Sequence, residues 1–176
     1  MIRAALPTDI PAIAAIYDEA VRTGTASFEL TPPDEVEMRR RYEALTGGGF
    51  PYIVASMGEE IAGYAYAGAY RPRAAYGFTL ENSVYVASGW QGKGVGTALL
   101  NALIAAAEAK GFRQMIAVIG DSRNAASVAL HRAAGFEMIG THRSVGRKFG
   151  LWLDTVEMQR ALGSGDRDEP PFEPGS

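Results

Sequence analysis

Gln91-Gly92-Lys93-Gly94-Val95-Gly96-Thr97 lies between an alternating apolar segment, Ser83-Val84-Tyr85-Val86, and a long alanine- and leucine-rich run that reads as a helix. A strand, a glycine-rich turn and a helix start together make a nest of backbone N–H groups. With the positive end of the helix dipole behind it, such a nest binds phosphate oxygens. Glycines let the backbone approach a ligand without Cβ atoms in the way. Two familiar phosphate loops fail on spacing. A G-x-x-x-x-G-K-[ST] loop would need glycine at Ala87 and Ser or Thr at Gly94. A G-x-G-x-x-G fingerprint would need glycine at Thr97 or at Leu99. What remains is Q-x-x-G-x-G, carried by Gln91, Gly94 and Gly96.

Outward from this loop the chain alternates strand and helix signals. Ile2 to Ala5 reads as a short strand, and Thr8-Asp9 opens a helix with Ile10, Ile13, Ile16, Tyr17 and Val21 at helical spacing, stopped by Gly24. Thr31-Pro32-Pro33-Asp34 opens a second helix, closed near Gly47-Gly48-Gly49. Tyr52 to Ser56, Ile61 to Ala69 and Glu81 to Val86 are β-like. Val95 to Lys110 is a helix ended by Gly111, and Met115 to Ile119 an unbroken apolar strand of the kind expected at a buried central position. Asn124 to Ala134 is a helix, Phe136 to Thr141 a strand, and Lys148 to Arg160 contains the last strand. The expected domain is 1–162. The polar, Pro- and Gly-rich tail 163–176 is expected to be disordered.

Bulk properties narrow the function. The 176 residues fit one domain, and 47% apolar with 21% charged residues is ordinary for a globular protein. No cysteine means no disulfide, no thiolate metal site and no thiol acyl-enzyme; with two histidines, no metal is expected. A net charge of −3 gives no electrostatic case for nucleic acid. No run approaches the ~20 apolar residues of a membrane span and no secretory pattern is visible, so the expected location is cytoplasmic.

The loop and its context resemble the GNAT superfamily of acetyl-CoA-dependent acetyltransferases. Downstream, Asn124-Ala125-Ala126-Ser127-Val128-Ala129-Leu130-His131 and then Gly135-Phe136 are similar to the segment that lines pantetheine in that superfamily. Thr79-Leu80-Glu81-Asn82-Ser83-Val84-Tyr85-Val86, Ala117-Val118-Ile119, Leu130-His131 and Val145-Gly146-Arg147-Lys148-Phe149-Gly150 with Trp152 and Asp154 look like its phosphinothricin, methionine sulfoximine and methionine sulfone N-acetyltransferases. The resemblance implies an α/β (α+β) fold, a twisted, mixed, mostly antiparallel sheet of about six to seven strands flanked by about four helices. It also implies acetyl-CoA as co-substrate and direct attack by the α-amine of a small amino acid or analogue in a ternary complex. A homodimer is implied too, with Arg147 and Lys148 reaching the neighbouring subunit's site.

Such a reaction needs a base, an oxyanion donor and a proton for the thiolate. The resemblance implies Glu81 as base and His131 as proton donor to the thiolate. It gives Val84, Tyr85 and Val86 main-chain contacts to pantetheine, with the Val86 amide as oxyanion donor. The pyrophosphate falls to Gln91, Gly92, Lys93, Gly94, Val95, Gly96 and Thr97, and Asn124 and Ser127 join the pantetheine site. Asn124 also reads as the N-cap of the following helix. Arg71 and Arg73 bracket Pro72 just before the catalytic strand and suit a carboxylate. Asn82, Ser83 and Phe28 complete the expected substrate contacts, with Tyr70 and Tyr76 as candidate pocket walls. His142 carries no motif and reads as structural or surface. Acetylation of a polyamine or a protein N-terminus, and a non-catalytic CoA-binding sensor, are the alternatives. The paired arginines argue against the polyamine, and Glu81 with His131 against the sensor.

Overall fold

The computed structural model describes residues 1–170 and residue 173. Seven strands form one sheet: β1 (Ile2–Ala4), β2 (Tyr52–Met57), β3 (Glu60–Ala69), β4 (Thr79–Val86), β5 (Gln114–Gly120), β6 (Glu137–Lys148) and β7 (Leu151–Ala161), in the order β1-β2-β3-β4-β5-β7-β6. All neighbours are antiparallel except β4 and β5, which run parallel. Four helices flank it: α1 (Ile10–Thr23), α2 (Glu35–Gly47), α3 (Val95–Ala109) and α4 (Ala125–Ala133). The implied mixed, mostly antiparallel sheet with helices on both faces is the one observed.

Each face has its own core. On one, α3 presents Val95, Leu99, Leu100, Leu103, Ile104 and Ala107 to Leu80, Met115, Ala117 and Met158 of the strands. These apolar positions recur at helical spacing, and each fully buried leucine contributes roughly 1.5–3 kcal/mol of transfer free energy. On the other face, Ile10, Ile13, Tyr17 and Val21 of α1 and Met38 and Tyr42 of α2 cover Tyr52, Val54 and Tyr64. Helix α2 has a weaker apolar stripe and relies on local polar bonds. Asp34 accepts the Glu37 N–H at 2.8 Å, and Glu37 pairs with Arg40 and Arg41 one turn on.

Beyond shifts of one or two residues at element ends, three features depart from the sequence reading. Asp9 does not cap α1 with its side chain; residues Pro7–Asp9 form a 3-10 turn, and the carboxylate takes two bonds from Arg3, 2.7 and 2.8 Å, and one from the Leu6 N–H. Strand β6 runs on to Lys148: it leaves the ladder after His142 in a bulge, where the Ser144 N–H donates to the Asp154 carboxylate, and rejoins β7 over Gly146–Lys148. An edge strand exposed on both faces carries no apolar alternation, so its polar residues read as loop. Finally, residues 163–170 form turns in which Ser164 and Asp168 bond Arg113; the rest of the expected disordered tail falls largely outside the described residues.

Candidate active site

The parallel pair β4–β5 is where the sheet opens. Pairing covers only Thr79–Asn82 against Gln114–Ala117, yet β4 continues to Val86 and β5 to Gly120. The strands diverge and leave a cleft of about 760 Å³. Ser83 to Val86 line one side, Val118 to Gly120 the other, and Gln91 to Thr97 with the Asn124–His131 helix close its end. Ala87 donates its N–H to Ala62 of β3. Backbone groups alternate along a strand, so Tyr85 also turns its N–H and C=O to β3, while Val84 and Val86 turn theirs toward the missing partner. Tyr85 lines the cleft, but its ring stacks on Tyr64 and meets Tyr17 edge-on.

The glycine-rich turn closes one end of the cleft. Gly92 and Gly94 have φ of 71° and 81°, left-handed values that favour glycine, and Gly94 is the N-cap of α3. The free N–H groups of the first helical turn therefore face the cleft mouth. Gln91 folds back onto the Val86 carbonyl at 3.4 Å, which braces the turn against β4. Lys93 is exposed with its Nζ 4.9 Å from the centre of the Trp90 ring, so it adds positive charge at the rim. Thr97 and Gly96 line the cleft; the Val95 side chain is in the core, and only its backbone serves the turn.

Alternation on β4 divides the chemistry between the two faces. Asn82, Val84 and Val86 face α3 and α4; Glu81, Ser83 and Tyr85 face α1 and α2. His131, 4% exposed, sits on the first face. Its Nδ1 is 2.8 Å from the Ser127 carbonyl and its Nε2 3.1 Å from Oδ1 of Asn82. Burial pushes its pKa down, opposed by the Ser127 bond. The carbonyl requires the hydrogen on Nδ1, which leaves Nε2 of the neutral ring as an acceptor. Asn82 Nδ2 is buried without a partner. Half a turn of the amide would present that NH₂ to Nε2, the arrangement a neutral ring requires. A charged ring would instead donate to Oδ1, so the amide's orientation reports the ring's protonation. Asn82, expected on the acceptor, is thus 6% exposed and engaged with His131.

Glu81 lies half-buried on the other face. Burial pushes its carboxyl pKa up; the Arg71 charge opposes this and that of Glu157 reinforces it. Arg71 is exposed and rests 4.3 Å above the Tyr70 ring, which meets Tyr76 edge-on. Arg73 is exposed at the start of the 3-10 turn Ala74–Tyr76. Phe28, in the α1–α2 loop, lies over Gly120 and Gly146, so close that a Cβ at Gly146 would fall 2.3 Å from its ring. Asn124 caps α4 by accepting the Ser127 N–H at 3.1 Å and lines the cleft as well.

Two features depart from the residues singled out in the sequence. Lys148 does not extend outward. It is 3% exposed and donates to the Ser27 carbonyl of its own chain at 2.8 Å, because β6 turns it beneath the α1–α2 loop. A buried hydroxyl group also sits behind Tyr85: the Tyr17 hydroxyl lies 3.0 Å from Ser27 Oγ and donates to Glu29 Oε1 at 3.0 Å, and Glu29 is held by Arg41. Tyr17 occupied an apolar helix position in the sequence, and nothing local marks Ser27 or Glu29.

A family model described as Acetyltransferase (GNAT) family matches residues 13–136. A phosphinothricin N-acetyltransferase of Alcaligenes faecalis is 54% identical over 169 residues, 96% of this chain and 86% of that protein. An L-methionine sulfoximine/L-methionine sulfone acetyltransferase of Pseudomonas paraeruginosa is 45% identical over 162 residues, 92% of this chain and 94% of its own. Among solved structures, a GNAT superfamily phosphinothricin acetyltransferase from Sinorhizobium meliloti, in complex with AcCoA, superposes with a TM-score of 0.95 at 46% identity, covering 99% of this chain and 95% of that one. Among the described residues no helix is long and apolar enough to cross a membrane.

Proposed function

The chain belongs to the acetyltransferase (GNAT) family, and from that premise we propose that it moves the acetyl group of acetyl-CoA to the α-amine of a small amino acid or analogue. Methionine sulfoximine, methionine sulfone and phosphinothricin, named for its relatives, are the acceptors of choice. The observation that carries the reading is the parting of β4 from β5 beside the α3 nest. An amide-bearing arm fits the groups that Val84 and the Val86 N–H turn into the cleft, and a pyrophosphate fits Gly92 to Thr97.

In this reading Glu81 takes the ammonium proton, directly or through water. Its raised pKa brings it closer to the amine's and makes it a better base than an exposed glutamate. The amine nitrogen bonds to the acetyl carbon, and the C–S bond breaks with its electron pair on sulfur. The Val86 N–H donates to the carbonyl oxygen as charge builds there, worth roughly 3 kcal/mol of barrier. The nitrogen's second proton passes through water to Nε2 of the neutral His131 ring, beside Asn82 on the opposite face, and from the ring to the thiolate, which leaves the amide and the CoA thiol. Arg71 and Arg73 hold the acceptor's carboxylate. We place the protein in the cytoplasm as a homodimer; exposed Val145 of β6, Phe149 in the turn after it, and Leu151 and Trp152 of β7 are the apolar surface a second copy would cover.

Thiol release from acetyl-CoA tests this, with methionine sulfoximine, methionine sulfone, phosphinothricin and spermidine each as acceptor. Release with the amino-acid analogues and not with spermidine is expected. Release with spermidine alone, or with none, overturns the acceptor assignment.

A further inference from the structure

Glu157 of β7 belongs to no motif, yet the sheet register brings it to the acceptor face. Glu81 pairs with Ile116 of β5; two residues on, Val118 pairs with Glu157. Side chains two apart on a strand, and those directly paired across strands, share a face, so Glu81, Ile116, Val118 and Glu157 lie on one side of the sheet. Val156 and Met158 point the other way, into the α3 core. Glu157 is held at 3.3 Å from His142 Nε2 on β6, its side chain 21% exposed and that of His142 59%. His142 of β6 is in contact with it, and Glu81 of β4 feels its charge as it feels that of Arg71 from the loop before β4; β5 presents Ile116 and Val118 between Glu81 and Glu157.

This geometry leaves a defined place for the acceptor's side chain, and the argument rests on the proposed function above. With the carboxylate at the Arg71 loop and the amine at Glu81, the rest of the molecule is left the floor of Ile116 and Val118. Glu157 stands at the far side of that floor. We propose that Glu157, steadied by His142, sets the charge selectivity of the acceptor site, favouring amino acids whose side chain ends in a neutral polar group over those ending in an anion. Methionine sulfone and phosphinothricin share the amino-acid head and differ in the charge of the tail, sulfone against phosphinate. The ratio of their kcat/KM values therefore isolates the tail, and losses common to both cancel.

The test measures that ratio, phosphinothricin over methionine sulfone, in wild type, Glu157→Gln and His142→Gln. Removing the carboxylate raises the ratio about fivefold, the scale of one unit charge acting across about 4 Å at the dielectric of water. His142→Gln removes the ring held 3.3 Å from Glu157, leaves the carboxylate without that partner and lowers the ratio about twofold. If Glu157→Gln does not fold, the fall in His142→Gln still supports the proposal. An unchanged ratio in every active variant overturns the selectivity alone. A wild-type protein that acetylates neither acceptor overturns the proposed function and this selectivity with it.

Discussion

Glu81 and His131 are both ionisable and both shielded from water, and burial moves them in opposite senses: the carboxyl pKa rises and the imidazole pKa falls. Near neutral pH the ring is uncharged, and the carboxylate is a stronger base than usual. Glu81→Gln is expected to lower kcat by ~10²–10⁴-fold while acetyl-CoA binding, measured by calorimetry, stays within twofold. In wild type, kcat/KM should fall on acidification through a pKa above the ordinary glutamate value of 4.5. The Gln variant should lose that limb. An unchanged limb would remove Glu81 from the base role. Both residues were visible in the sequence through their motif context. Strand alternation separates Glu81 from Asn82, but nothing in the sequence set His131 on the Asn82 side. The His131–Asn82 bond spans 49 positions and had no local signal.

At the scale of elements, what was legible followed from periodicity. Helices α1 and α3 and strand β5 carry apolar repeats that admit one reading, and Gly111 stops α3 with a φ of 84°. Strand β6 was half-read, because its exposed residues alternate nothing and its ladder is made by the backbone alone. In the glycine-rich turn one position bears on both stability and the proposed binding. Gly94→Ala places a Cβ on a backbone at φ 81°. It is expected to cost ~1–2 kcal/mol of stability and to weaken acetyl-CoA binding about tenfold, because the relaxed turn re-aims the N–H groups at the start of α3. Urea unfolding and calorimetry give the two numbers separately. Asn124→Ala should cost ~1 kcal/mol through its lost cap bond to Ser127.

For the whole molecule, acid should act on stability through groups whose folded pKa lies below the ordinary one. Asp9 is such a group: the Arg3 guanidinium bonded to it holds its carboxyl down, with help from the Leu6 N–H. His131 is another, through burial. Each contributes stability that is complete above its ordinary pKa and is lost as pH falls through its folded one. Asp9→Asn should cost about 2 kcal/mol at pH 7 and flatten the acid side of the stability profile, read from urea midpoints across pH. Assembly has its own test. Trp152 is 63% exposed beside Phe149 and Leu151, and Trp152→Ser should shift a dimer toward monomer in sedimentation velocity if this face carries the contact. Neither Asp9's partner nor this apolar face could be read from composition, since both depend on which strands become neighbours.

The parting of β4 and β5 also places an unprotected strand border inside the sheet. Exposed borders invite any extended chain to pair with them, and proteins guard outer ones with charge, proline or bulges. Here protection comes from cover: α3 and α4 enclose one side, and the Ala26–Phe28 loop overhangs the other. A peptide strand would have to seat a side chain on each face at every second residue. An unbranched arm carrying two amides has no such demand. The backbone to which we assign pantetheine is therefore closed to stray polypeptide along this seam.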